Sequence, residues 1–187
     1  MKRILLSCLS FFVAVGAYAQ EVTCPEPDFI GEVVSVNPED GTTTNLEKQT
    51  VMLRTRVNAT GLMFGIGKAK TKLVIEGGSA AVRLSKEKPI LLVVKAVDNR
   101  TDPMAIINIF RFESTRKQRL AELSSVSSFG SVKSNKLDYL PFTGKKYGES
   151  SYLLKLDRCE PGEYGVTVKN PNSLDEKSVI VATFAIE

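Results

Sequence analysis

The chain contains no histidine. That removes Ser-His-Asp and Cys-His activation of a nucleophile and every histidine-containing metal site. It also removes the side chain best suited to proton transfer near neutral pH. Tryptophan is absent too, and with it the commonest flat platform for sugars. Gly61-Leu62-Met63-Phe64-Gly65-Ile66-Gly67-Lys68 invites comparison with a phosphate-binding loop. The spacing fails: the first required glycine falls on Leu62, and Ala69 stands where Ser or Thr should follow the lysine. A flexible or bulged approach to a strand accounts for these glycines better. No cofactor is expected.

Lys68, Lys70 and Lys72 project from one face if their segment is a strand. Such a row can hold an acidic polymer, but it more simply solvates a face or protects an edge strand from pairing. Asp98, Asn99 and Asp102 place oxygen ligands in one loop, as calcium requires. EF-hand spacing is missing, and the same residues suit an ordinary turn. A glycosidase needs two carboxylates facing each other across a cleft. Glu113, Glu122, Glu149 and Glu163 are available, and nothing in the sequence pairs any two of them. Tyr139, Phe142 and Tyr147, with Tyr152, cluster around a Pro-, Gly- and Lys-containing segment. They suit either a partner surface or a hydrophobic cap over one end of the fold.

The N-terminal residues read as an export signal. Lys2 and Arg3 form a basic start, Ile4 to Val15 is almost wholly apolar, and Ala17-Tyr18-Ala19 is a small-x-small cleavage site. The apolar run is shorter than the roughly 20 residues a membrane span needs, and no later segment approaches that length. Residues 1–19 are therefore expected to be a signal peptide and residues 20–187 one domain. Export would place the protein in the periplasm, at the cell surface or outside the cell. Cys8 lies inside the apolar run, which argues against lipidation. The remaining cysteines, Cys24 and Cys159, are then expected to form a disulfide in an oxidising compartment.

The chain carries 25 basic and 21 acidic residues, a formal charge of +4. Without Lys2 and Arg3 the excess falls by two, so charge alone gives no reason to expect nucleic acid or an anionic membrane as partner. An apolar content of 43% is that of a globular protein.

The elements that would position these residues are strands. Val51 to Val57, Thr71 to Ile75, Tyr152 to Leu156 and Tyr164 to Val168 alternate with period two, the signature of half-buried strands. Ile90 to Val94 is apolar throughout and predicts a central strand covered on both faces. Met104 to Phe112 and Val179 to Ile186 also read as strands. Asn37-Pro38-Glu39-Asp40-Gly41, Glu76-Gly77-Gly78-Ser79 and Glu160-Pro161-Gly162 are turns. Asn170 to Ser173 predicts a hairpin between the last two strands. Arg116 to Leu123 is expected to return as a hairpin partner of the strand before it, and Ser124 to Ser134 to be loop. The whole predicts an all-β, antiparallel sandwich, immunoglobulin-like or related, in a single domain.

Leu156-Asp157-Arg158-Cys159-Glu160-Pro161-Gly162-Glu163-Tyr164-Gly165-Val166 resembles a motif of β-sandwich modules, in which a strand ends at a Pro-Gly turn and Gly-Glu-Tyr opens the next. Together with Gln20 after the signal, Gly65-x-Gly67-Lys68 and Tyr139 to Tyr152, the chain resembles small secreted β-sandwich proteins of Bacteroidetes. The resemblance implies a fold and carries over no functional residue. The expectation is a non-catalytic binding or structural module with a protein or glycan partner. The alternative is a carboxylate-dependent hydrolase acting on polysaccharide.

Overall fold

The computed structural model describes residues 23–57, 68–127, 132–134, 136–157, 160–169 and 179–187. The expected signal peptide and its cleavage site lie outside them. Among the described residues fourteen strands follow one another: β1 (Val33–Val36), β2 (Thr43–Asn45), β3 (Glu47–Val57), β4 (Lys68–Glu76), β5 (Arg83–Leu84), β6 (Leu91–Lys95), β7 (Ile107–Ser114), β8 (Gln118–Ser127), β9 (Val132–Ser134), β10 (Asp138–Tyr139), β11 (Phe142–Tyr147), β12 (Ser151–Leu156), β13 (Gly162–Val168) and β14 (Val179–Ile186).

The chain is all-β, and every pairing but β5 on β14 is antiparallel. It does not resolve into two open sheets, as the sequence led us to expect. Six strands close on themselves in the order β7-β13-β14-β3-β4-β8, because β8 returns to β7 at Glu113↔Leu120 and Ser114↔Arg119. Closure removes sheet edges from this part of the molecule. The other sheet has five strands, in the order β11-β12-β6-β1-β2.

Alternation along each strand builds three apolar layers. Val51, Leu73, Ile75, Phe110, Phe112, Ala121 and Val181 fill the barrel. β13 contributes a glycine to this interior for a steric reason: a Cβ on Gly165 would lie 2.7 Å from both Phe112 Cε2 and Val181 Cγ1. The outward side chains of β7, β13 and β14, among them Ile109, Tyr164, Val166 and Phe184, meet Val33, Leu92, Val94, Tyr152 and Leu154 of the five-stranded sheet. The far face of that sheet, Val34, Val36, Val93 and Leu153, is also buried, with Cys24, Leu91 and Tyr147 packed on it.

Residues 23–27 bind at both ends of this far face. The carbonyl of Thr23 lies where a Cβ on Gly41 would touch it, in the turn after β1. Three residues on, Glu26 accepts hydrogen bonds from Ser151 Oγ (2.5 Å), from the Glu149 and Ser150 amides and from Lys95 Nζ (3.1 Å). These donors hold the Glu26 carboxyl at about 2, the Ser151 bond being the largest cause, against the opposing effect of burial.

β6 is the central, doubly covered strand predicted from Ile90 to Val94: Leu92, Val93 and Val94 are all fully buried. Two local readings are corrected. Pro103–Ile106 is a single helical turn, α1, not strand; Asp102 caps it by accepting from the Met104 amide at 2.9 Å, and Pro103 takes the first position. The Ser124 to Ser134 segment is not simply loop, because β8 runs on to Ser127 and β9 pairs back on it.

Candidate functional site: a basic face on the barrel wall

The barrel has two unlike outer walls. The β7-β13-β14 wall is apolar and covered by the second sheet. On the β3-β4-β8 wall the outward residues are Met52, Arg54 and Arg56 of β3, Lys70, Lys72 and Val74 of β4, and Leu120 and Glu122 of β8. The register makes them neighbours: Arg54 stands opposite Lys72, Arg56 opposite Lys70, and Lys72 opposite Glu122. A shallow groove of about 140 Å³ runs here, with Val74, Leu120 and Gln118 as its uncharged lining.

Like charges directly opposite each other in an antiparallel pair are destabilising, by up to about 1 kcal/mol each. Two such pairs lie side by side in this array. Partial relief comes from carboxylates on neighbouring strands. Glu122 takes Lys70 Nζ at 2.8 Å on one oxygen and Lys136 Nζ at 2.8 Å on the other. Lys72 Nζ is 3.7 Å from Glu113. The two lysines hold the Glu122 carboxyl at about 2, Lys136 contributing most, and the Glu122 hydrogen bond raises Lys70 in return. Arg54 and Arg56 are exposed and form no ion pair among the described residues.

Edge protection does not explain the lysines. β4 pairs with β3 on one side and β8 on the other, so it presents no edge. Lys68 opens the same strand opposite Ser127; the glycines of the preceding segment lie outside the described residues.

The other candidates disperse. Asp98 accepts from the Arg100 amide, Asp102 caps α1, and Asn99 donates to the carbonyls of Tyr147, Gly148 and Ser151, so each has a local structural task. No group of three or more potential metal ligands occurs among the described residues. Glu149 lies in the turn between β11 and β12, and Glu163 inside the barrel. Tyr139 is 41% exposed on β10, Phe142 is buried in the core, and Tyr147 is half-buried on the opposite face of β11. The three aromatics therefore do not share one face.

Cys24 is a free thiol, and Cys159, its expected partner, lies outside the described residues. Cys24 is instead fixed by Tyr147, whose hydroxyl receives its amide at 2.7 Å, donates to its carbonyl and lies 3.4 Å from its sulfur.

A larger cleft of about 290 Å³ opens between the β1–β2 hairpin and the β5–β6 connection. Its two cations are already matched: Lys88 with Glu39, and Arg83 with Glu187 and Glu163. Sequence reasoning missed the buried pair at one end of the barrel. Arg119 is 1% exposed; its Nη1 lies 3.8 Å from Glu163, and its Nε donates to the Gly77 carbonyl at 3.3 Å. Glu163 also accepts from the Ala80 amide at 2.7 Å. Among the described residues no helix is long and apolar enough to cross a membrane. No protein-family model matches the chain, and no curated protein matches it.

Proposed function

We propose that this protein is a binding module whose β3-β4-β8 face holds an acidic polysaccharide. The observation that carries this reading is the pair of opposed like charges, Arg54 with Lys72 and Arg56 with Lys70, in which both arginines lack an ion-pair partner among the described residues. A fold gains nothing from stacking cations in this way; an anionic polymer laid along the groove relieves the repulsion. Arginine forks suit sulfate and carboxylate groups, which they grip bidentately.

Polysaccharide is favoured over single-stranded nucleic acid because, among the described residues, no aromatic side chain on which bases could stack lines the groove. Export, as the N-terminal residues suggest, would bring the module to such polymers, and belongs to the same proposal. The hydrolase alternative is less well supported. A glycosidase's general acid needs a raised pKa, whereas Glu122, which pairs with the groove-lining Lys70, is pushed the other way.

The test is binding to heparin, a sulfated polysaccharide, by isothermal titration calorimetry at several salt concentrations. Binding should weaken with salt, and the Arg54→Gln/Arg56→Gln variant should lose about tenfold or more, about 0.7 kcal/mol per arginine. Equal binding by that variant, or tighter binding of single-stranded DNA than of heparin, would overturn the reading.

A further inference from the structure

Resting on that reading, we infer that Glu122 is the site's built-in competitor and sets how densely charged a polysaccharide must be to bind. The carboxylate already occupies the position a ligand anion would take. Each of its oxygens meets one ammonium group, Lys70 and Lys136, at 2.8 Å. It stands in the same lateral row as Lys72 and Arg54, one strand further on, and its side chain is only 19% exposed. Arg54 and Arg56 are open to a ligand without rearrangement; Lys70 and Lys136, each with one contact to Glu122, give a ligand their full charge only if Glu122 releases them.

An anion on a polymer must therefore outcompete a carboxylate tethered to the same wall. Tethering gives Glu122 a high effective concentration. A sparsely charged polymer, with single carboxylates, offers the lysines no better partner than they have. A densely sulfated chain brings several anions to the array at once, so that its hold on the two arginines helps it displace Glu122 from the lysines. Glu113 is a weaker competitor, because it lies 3.7 Å from Lys72 and its side chain is 82% exposed.

The experiment compares heparin with polygalacturonate, which carries one carboxylate per sugar, on the full chain and its Glu122→Gln and Arg54→Gln/Arg56→Gln variants. The wild type should prefer heparin. Glu122→Gln should bind polygalacturonate about three- to tenfold more tightly and heparin at most about twofold more tightly. The salt slope of polygalacturonate binding should steepen by about one to two, as two further lysines become available.

A second measurement needs no substitution. In the wild type, the Glu122 carboxyl, followed by 13C NMR, should titrate well above about 2 when heparin is saturating, because its lysines have turned to the ligand. If Glu122→Gln binds both polymers as the wild type does, or binds them more weakly, the competitor role is overturned while the site stands on the arginine variant. An unshifted Glu122 titration in saturating heparin overturns it equally. If neither polymer binds the wild type or any variant, the site itself is refuted.

Discussion

Glu163 gives the sharpest test of how the barrel is held together. Its carboxylate lies inside the closed barrel, 3.8 Å from Nη1 of the fully buried Arg119, and that nitrogen has no hydrogen-bond partner among the described residues. Arg119 therefore depends on Glu163 for compensation of its charge. Replacing Glu163 by Gln keeps an oxygen for the Ala80 amide but removes the countercharge. Breaking a buried pair from one side leaves an unpaired buried charge and costs about 3–5 kcal/mol. For a domain of this size that is a fall in Tm of roughly 6–20 °C. Glu163→Ala should cost more, by about 1–3 kcal/mol, because the Ala80 amide then loses its acceptor as well. The assay is thermal and urea unfolding followed by circular dichroism. Adding Arg119→Met to Glu163→Gln should recover most of the loss, since the orphaned charge is gone. A Glu163→Gln variant melting within about 2 °C of the wild type, or a double variant whose losses simply add, would show that the two side chains are not coupled.

Two further outcomes follow from burial and charge. Val93→Ala should cost about 1–3 kcal/mol in urea unfolding, since Val93 is fully buried beneath residues 23–27 on a strand flanked on both sides; a loss near zero would mean that this face is uncovered in solution. Glu26 titrates at about 2 in the folded chain instead of near 4.5, so its contribution is complete above about pH 4.5 and is lost as pH falls toward 2. Melting curves from pH 6 to 2 should show the wild type losing stability through this window and Glu26→Gln losing less; parallel curves would exclude a role for Glu26 in fastening residues 23–27.

The strands were legible because each alternation reports its own two faces. Val51 to Val57 and Tyr164 to Val168 needed no partner to be recognised, and the unbroken Ile90 to Val94 run announced a strand covered twice. Barrel closure was not legible. It rests on Glu113 and Ser114 meeting Leu120 and Arg119, a contact that the β7–β8 hairpin suggests, while β13, β14, β3 and β4 must also assemble in one ring. The Ser-rich end of β8 was missed because its signal is backbone pairing with β4, not side-chain periodicity. Asp102-Pro103 did carry a helix-start signal, the cap and the first-turn proline, but the β-branched residues after it outweighed a helix of one turn. At the candidate site, the lysine row was visible in sequence. Its meaning was not, because Arg54 and Arg56 join it only through cross-strand register. Nothing in the sequence marks Arg119 and Glu163 as buried, because such residues nearly always lie at the surface.

The β3-β4-β8 wall is tested as a polyanion site by the salt dependence of heparin affinity for the wild type beside Arg54→Gln/Arg56→Gln. Log K should fall linearly with log salt for the wild type, with a slope shallower by about one to two in the variant, and the variant's affinity at low salt should be lower by about tenfold or more. Two proteins with the same slope and the same affinity would contradict it.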